Sequence, residues 1–440
     1  LEQAESPKPC LPAAIEVIDC KDNRDLYVAD RRLPIREFPT DPKLIELIPN
    51  GNQFEGFVQD QATVKTILNI ASGVENGFPV LLEGPTATSK TSGIRYLAHL
   101  TNTPVHRLNL NGQTNTAELI GKYVPNNGEC QIDFLAEYNA GRISNEQAKP
   151  IIAAAINHKR PLSLLENQEV ANLLDLTIPE WKWQDGIIPE AMQQGVWVIL
   201  DEVNLASPEV LERLNSVLET PASLVVTEGN NETVQVNSGF RIFATQNPKE
   251  GHVGRNELSD PFNNRWQSYI LAGPDESSWH SMLDLWVFGR QPKIELHGEQ
   301  YQDPVAQAIY PTLAKVPQMQ EFIALFARFF HALFENTKAN DPNRINAVYT
   351  RRDIQRFMYQ LVTTKLYSRS RGVHIEKQTI ETHPKKIILR ALFEHFLESV
   401  KVEDRAKVQT ILDAVGLSEK AFTLKMSHQE SPIPAALSEE

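Results

Sequence analysis

Cysteine is nearly absent from this chain. Three residues in 440 (Cys10, Cys20 and Cys130), widely spaced, exclude a disulfide framework and a cysteine-rich zinc site and fit a reducing compartment. Excess basic charge is missing too. Forty-three Lys and Arg against 56 Asp and Glu give a formal net charge of −13, which lacks the electrostatic footprint of a nucleic-acid binder and mainly favours solubility. Long hydrophobic runs are also missing. No stretch approaches the roughly 20 apolar residues that span a bilayer, and the N-terminus has no basic region leading into an apolar core. The expectation is a cytoplasmic protein, not inserted in a membrane and not built for nucleic acid.

What is present is length and alternation. A chain of 440 residues buries a core easily and suggests two or three domains. Residues 1–50 are rich in proline and charge, with one apolar alternation from Ala14 to Cys20, and read as an extension packed on the core. Apolar spacing from Gln61 to Val74 is helical, and Asn76-Gly77 breaks it. A short apolar run follows at Pro79–Leu82, and further strands are expected at Val105–Leu110, Val196–Leu200, Arg241–Thr245 and Gln267–Leu271, with helical patterns between most of them. That alternation predicts a parallel sheet covered on both faces. Beyond residue 275 helical patterns dominate, at Ser278–Phe288, Met319–Phe334, Thr350–Tyr367 and Lys385–Val400. The expected domains are an extension (1–50), an α/β nucleotide-binding domain (51–274), C-terminal helices (275–427) and a frayed tail (428–440).

The first strand runs into Gly84-Pro-Thr-Ala-Thr-Ser-Lys90-Thr91, and a helix starts at Lys90. Strand, glycine-containing turn and helix N-terminus together form a cradle for phosphate: backbone N–H groups and the helix dipole face the anion. Gly84, Pro85, Thr86, Ala87, Thr88, Ser89, Lys90, Thr91 and Ser92 are the expected binding residues. In this context Lys90 reaches the β/γ-phosphates and Thr91 ligates Mg²⁺. Ser89 departs from the usual Gly, which matters if the backbone there needs φ > 0.

About a hundred residues later, Val196-Trp-Val-Ile-Leu200-Asp201-Glu202 is a buried strand ending in two carboxylates, where parallel sheets carry their ligands. Asp201 is the expected Mg²⁺ partner, through water, and Glu202 the base that orients and deprotonates an attacking water. By itself the pair also reads as a solvated strand end. Arg241-Ile-Phe-Ala-Thr-Gln-Asn247-Pro ends another strand in an amide able to hydrogen-bond a phosphate or that water; an Asn-Pro turn is the plainer reading.

These segments, with Leu258-Ser-Asp-Pro-Phe-Asn-Asn-Arg265-Trp and the run from Asp201 to Glu219, resemble the AAA+ ATPases of the MoxR and dynein-related branch, midasin-like modules above all. The resemblance covers residues 55–370. It implies an α/β AAA+ P-loop NTPase core with a five-stranded parallel sheet, followed by an α-helical lid domain, and ATP with Mg²⁺ as cofactors. It makes Glu202, Asn247, Arg265 and Arg352 the catalytic set: Arg265 as an arginine finger serving the neighbouring subunit, Arg352 as a lid sensor with Arg351 as fallback. An isolated Arg265 is otherwise a surface ion-pair partner. Asp185–Gly195 resembles the branch's helix-2 insert, and Leu224–Val236, around Glu228-Gly-Asn-Asn, its pre-sensor hairpin. A helical insertion at 128–183, with runs at Gln147–His158 and Leu162–Leu174, exceeds what the branch usually needs and reads as surface decoration or a docking element. The Trp181 and Trp183 that flank it read as core anchors.

The function implied is ATP hydrolysis in a homo-oligomeric ring, usually a hexamer, that remodels or activates a protein client, often one carrying a von Willebrand A domain. Two alternatives stay open. One is a McrB-like nucleic-acid-associated NTPase motor, disfavoured by Ala244-Thr-Gln-Asn-Pro in place of Met-Asn-Thr-Ala-Asp. The other is a nucleotide-gated scaffold whose Ser89 loop binds but scarcely hydrolyses. The identity of the client is not encoded in fold resemblance.

Overall fold

The computed structural model describes residues 11–19, 24–86, 88–126, 134–176, 180–227, 232–248, 256–337, 344–347, 349–369 and 375–418. Ala87, all three cysteines, the turn Glu228-Gly-Asn-Asn and the tail from 428 lie outside them. The chain forms two compact units, one of residues 1–112, 196–221 and 241–440, the other of 113–195 and 222–240.

The first unit is built on a five-stranded parallel sheet: β1 (Val80–Glu83), β2 (Val105–Asn109), β3 (Trp197–Asp201), β4 (Arg241–Gln246) and β5 (Gln267–Ile270). Their order is β5-β1-β4-β3-β2. The central strands are short apolar runs because both faces are covered, and β3 is buried at every position. Helix α1 (Gln61–Asn76) starts on Asp60, whose carboxylate accepts from Thr63 N at 2.8 Å, and ends on Gly77 at φ 73, the left-handed conformation glycine adopts without steric cost. Helix α2 (Lys90–Leu100) follows β1 directly. Residues Ile15–Asp19, Arg24–Val28 and Arg31–Pro34 form a three-stranded antiparallel sheet, and its Leu26, Val28 and Leu33 are buried with Ile67, Ile70 and Val80.

C-terminal to the sheet come helices α3 (Glu276–Phe288), α4 (Met319–Glu335), α5 (Arg351–Thr363), α6 (Pro384–Leu392) and α7 (Val402–Val415) around a phenylalanine-rich core. Helices dominate this region as expected, and two short hairpins join them. Antiparallel hairpins pair Lys293–Leu296 with Glu299–Gln302 and Leu366–Arg369 with Ile375–Gln378. The helix expected to reach Tyr367 stops at Thr363, because Thr364 is already extended and Leu366 begins a strand. The helix expected over 385–400 becomes a π-turn at Phe393–Leu397.

In the second unit Gly121–Pro125 pairs antiparallel with Trp181–Asp185. Helices Phe134–Asn139, Ala148–Asn157 and Leu164–Leu173 share a small core of Phe134, Ile152, Val170 and Ala171. Helix Ile187–Gln194 occupies the expected helix-2 insert, and Val225–Val226 pairs with Glu232–Thr233 where a hairpin was expected. Trp183 packs edge-on against Tyr123 and bonds Asp185, but Trp181 is 54% exposed and is no core anchor. A strand end that faces solvent on one side gives it nothing to bury against.

Candidate functional site

The residues singled out in the loop and at the ends of β3 and β4 meet in the first unit at a cavity of about 600 Å³. β1 delivers the chain to Gly84, where any Cβ would lie 2.8 Å from Leu271 O, so only glycine lets the turn lie this close to the end of β5. Gly84 N donates to Gln246 O at 3.2 Å, which fastens the loop to β4. Thr88 Oγ1 donates to Pro85 O at 2.8 Å. Ser89 sits at φ 57, ψ 20, in the left-handed region that its departure from glycine put in question. Thr86, Thr88, Ser89, Lys90, Thr91 and Ser92 line the cavity.

Lys90 is the hub of the polar chemistry. Its Nζ donates to Gly84 O at 2.5 Å, Pro85 O at 2.8 Å and Asn247 Oδ1 at 2.9 Å. Asn247, nearly buried, passes the connection on, since its Nδ2 donates to Glu202 Oε1 while its own carbonyl accepts from Asn204 Nδ2 at 2.9 Å. Glu202 is itself left-handed, at φ 57, ψ 48. The amide at the end of β4 therefore bridges the loop cation and the carboxylate after β3.

Asp201 is placed by sheet register, which sets Thr245 of β4 and Asn109 of β2 beside it. Its Oδ1 accepts from Thr91 Oγ1 at 3.1 Å and from Thr245 Oγ1; its Oδ2 accepts from Arg107 Nε at 2.9 Å and from Arg107 Nη2. Burial pushes this carboxyl upward, but the Thr245, Arg107 and Thr91 donors outweigh it and hold the group below its ordinary value. A carboxylate held in this way beside a hydroxyl is a pair of hard oxygen donors of the kind that could hold Mg²⁺. No cluster of three or more His, Cys, Asp or Glu is found among the described residues.

From the helical side, α5 presents its first turn. Thr350 and Asp353 form a reciprocal capping box that fixes where the helix starts. Arg351 donates through Nη1 to Ser89 Oγ at 3.3 Å and through Nε to Met282 Sδ at 3.0 Å; burial lowers its pKa, with Asp60 opposing. Arg352, which the family pattern favoured, is exposed on the same wall. Arg265 is not brought to the cavity: its guanidinium rests on Pro261 O and on Glu219 at 3.4 Å.

Several lining groups were not foreseen from sequence: Arg95, Arg107, the segment Gln53–Phe57, Trp286 and Gln355. Arg107 had one signal, a charged residue inside an edge strand next to the acidic one. Alternate strand residues share a face, so Arg107 lies on the face of Asn109 and hence of Asp201.

Residues 164–266 match the AAA domain of the dynein-related subfamily. Midasin of Giardia intestinalis is 30% identical over 210 residues, 48% of this chain and 3% of that protein. Midasin of Dictyostelium discoideum is 30% identical over 270 residues, 54% of this chain and 4% of that protein. The uncharacterised protein YojN of Bacillus subtilis is 25% identical over 240 residues, 54% of this chain and 60% of that protein. The chain thus spans a few per cent of the length of the midasins it matches and less than two thirds of YojN.

Proposed function

We propose that the chain, which matches the AAA domain of the dynein-related subfamily over residues 164–266, is an ATPase of that branch, and that this cavity binds ATP with Mg²⁺ and hydrolyses it to drive work on a protein client. The observation that carries the reading is the linkage Lys90–Asn247–Glu202 beside the Thr91–Asp201 contact. Phosphoryl transfer needs charge neutralisation and positioning more than covalent chemistry, and these five residues supply both.

Lys90 moves from loop carbonyls to β/γ-phosphate oxygens, and the loop N–H groups and the N-terminus of α2 hold the remaining charge. Thr91 and Asp201 are the residues that would hold Mg²⁺, which would supply neutralisation of phosphate charge. Glu202 accepts the proton of the attacking water, and Asn247 holds that carboxylate in line. Arg351 or Arg352 ties the helical lid to the phosphates. The Gln53–Phe57 segment, fastened where Trp286 Nε1 donates to Gly56 O at 2.9 Å, offers the rings of Phe54 and Phe57 as a wall suited to the base. Self-association into a ring, Arg265 acting on the neighbour's nucleotide, and a client with a von Willebrand A domain belong to the same proposal.

Two variants test it. Lys90→Ala abolishes calorimetric ATP binding, and unchanged affinity would remove the loop from the site. Glu202→Gln binds ATP normally but turns over about 10²–10⁴-fold more slowly, the usual worth of a general base. Near-normal turnover in that variant would assign the base elsewhere.

A further inference from the structure

Asp201 carries more donors than its expected role needs. A carboxylate offers about four acceptor positions, and the two threonine hydroxyls and two Arg107 nitrogens together take them. A hydrated cation approaching this carboxylate has to replace one of them. Thr245 is buried on the adjoining strand, and Thr91 belongs to the proposed ligand set itself. Arg107 is different. Its side chain is 41% exposed, it stands on the edge strand β2, and it lines the same cavity. It also crowds another cation, since Arg95 is lowered first by burial and then by the Arg107 charge.

We propose that Arg107 is a positioning residue that competes with Mg²⁺ for Oδ2 of Asp201, holding the carboxylate aimed until the metal–nucleotide complex displaces the guanidinium. This rests on the ATP reading above and adds a metal-dependent exchange to it. The guanidinium makes a two-pronged contact that an ammonium cannot reproduce, so strength is graded by side chain. The metal demand of the protein is then set by a residue outside the proposed ligand set.

The experiment titrates Mg²⁺ into protein mixed with a fluorescent, slowly hydrolysed ATP analogue and reads the half-saturating Mg²⁺ for nucleotide binding. Arg107→Met lowers it about tenfold or more relative to the unaltered protein, the equivalent of one charge-assisted hydrogen bond removed from the competition. Arg107→Lys lowers it less, and Asp201→Asn added to either background erases the difference. If Arg107→Met leaves Asp201 unpaired and the protein fails to fold, Arg107→Lys decides alone. Unchanged or greater metal demand in the folded Arg107 variants overturns the inference while nucleotide binding stands. No binding by the unaltered protein at any Mg²⁺ concentration sinks the ATP reading, and this inference with it.

Discussion

At the scale of single residues, Ser89 poses the sharpest energetic question. A side chain held at φ 57 carries a strain of about 1–2 kcal/mol that glycine would not. Against that stands the hydrogen bond its hydroxyl accepts from Arg351, which links the phosphate loop to the first turn of α5. Two substitutions separate the terms. Ser89→Ala keeps the strain and loses the hydroxyl, and is expected to destabilise by about 0.5–1.5 kcal/mol. Ser89→Gly loses both, and in urea unfolding it should exceed Ser89→Ala by about 1 kcal/mol. An alanine variant as stable as the glycine one would mean the left-handed geometry is not strained. Sequence could flag Ser89 because the motif exposes it. Arg107 it marks only as a charge inside a strand, since its contact with Asp201 depends on β2 lying next to β3 in the sheet, a neighbour relation no local pattern encodes.

At the scale of elements, legibility follows burial. Each strand of the parallel sheet lies within a residue or so of its expected position, and the central three are plainest because a strand covered on both faces is a short apolar run. The hairpins at 293–302 and 366–378 escaped because their strands are only four residues long and mostly polar, with a brief alternation only in Lys293-Ile-Glu-Leu296. Helix α7 escaped because its buried side is thin, with Asp404, Val408 and Leu412 as its buried residues. The lid helices were plain since α4 buries Phe322, Phe326, Phe329 and Phe330 on one face. Those rings meet Phe357 of α5, fully buried, with centroids 5.3 Å from Phe326, 5.9 Å from Phe330 and 5.4 Å from Phe396. Phe357→Ala should therefore cost about 3–5 kcal/mol by denaturant unfolding. Because the same helix carries Arg351 to the loop, nucleotide affinity should fall as well, and Phe357→Leu should recover most of both. Loss of stability with untouched affinity would show that α5 does not brace the cavity.

At the scale of the whole molecule, the fold leaves one candidate residue without a task inside its own subunit. Arg265 lines no part of the cavity, and its guanidinium is about one-third exposed beside Glu219, a pairing worth little on a surface. If it serves a neighbour's ATP, a monomer has an incomplete site, and specific activity should rise with protein concentration. Removing a transition-state cation of this kind costs about 10³–10⁵ in rate where it has been measured in GTPases, so Arg265→Ala should nearly silence turnover while binding ATP normally. Mixing is decisive. Arg265→Ala subunits and Lys90→Ala subunits are each inactive alone, but an interface that joins the loop of the first to the arginine of the second is intact. Random assembly makes roughly one interface in four of that kind, since head-to-tail contacts pair unlike surfaces. Activity should therefore reappear in mixtures to about that fraction of the unaltered level. Silence in assemblies shown to be mixed would return Arg265 to a role within its own subunit. Head-to-tail contacts close only when the rotation per subunit is right and otherwise extend into filaments, so mass measured with and without ATP completes the test.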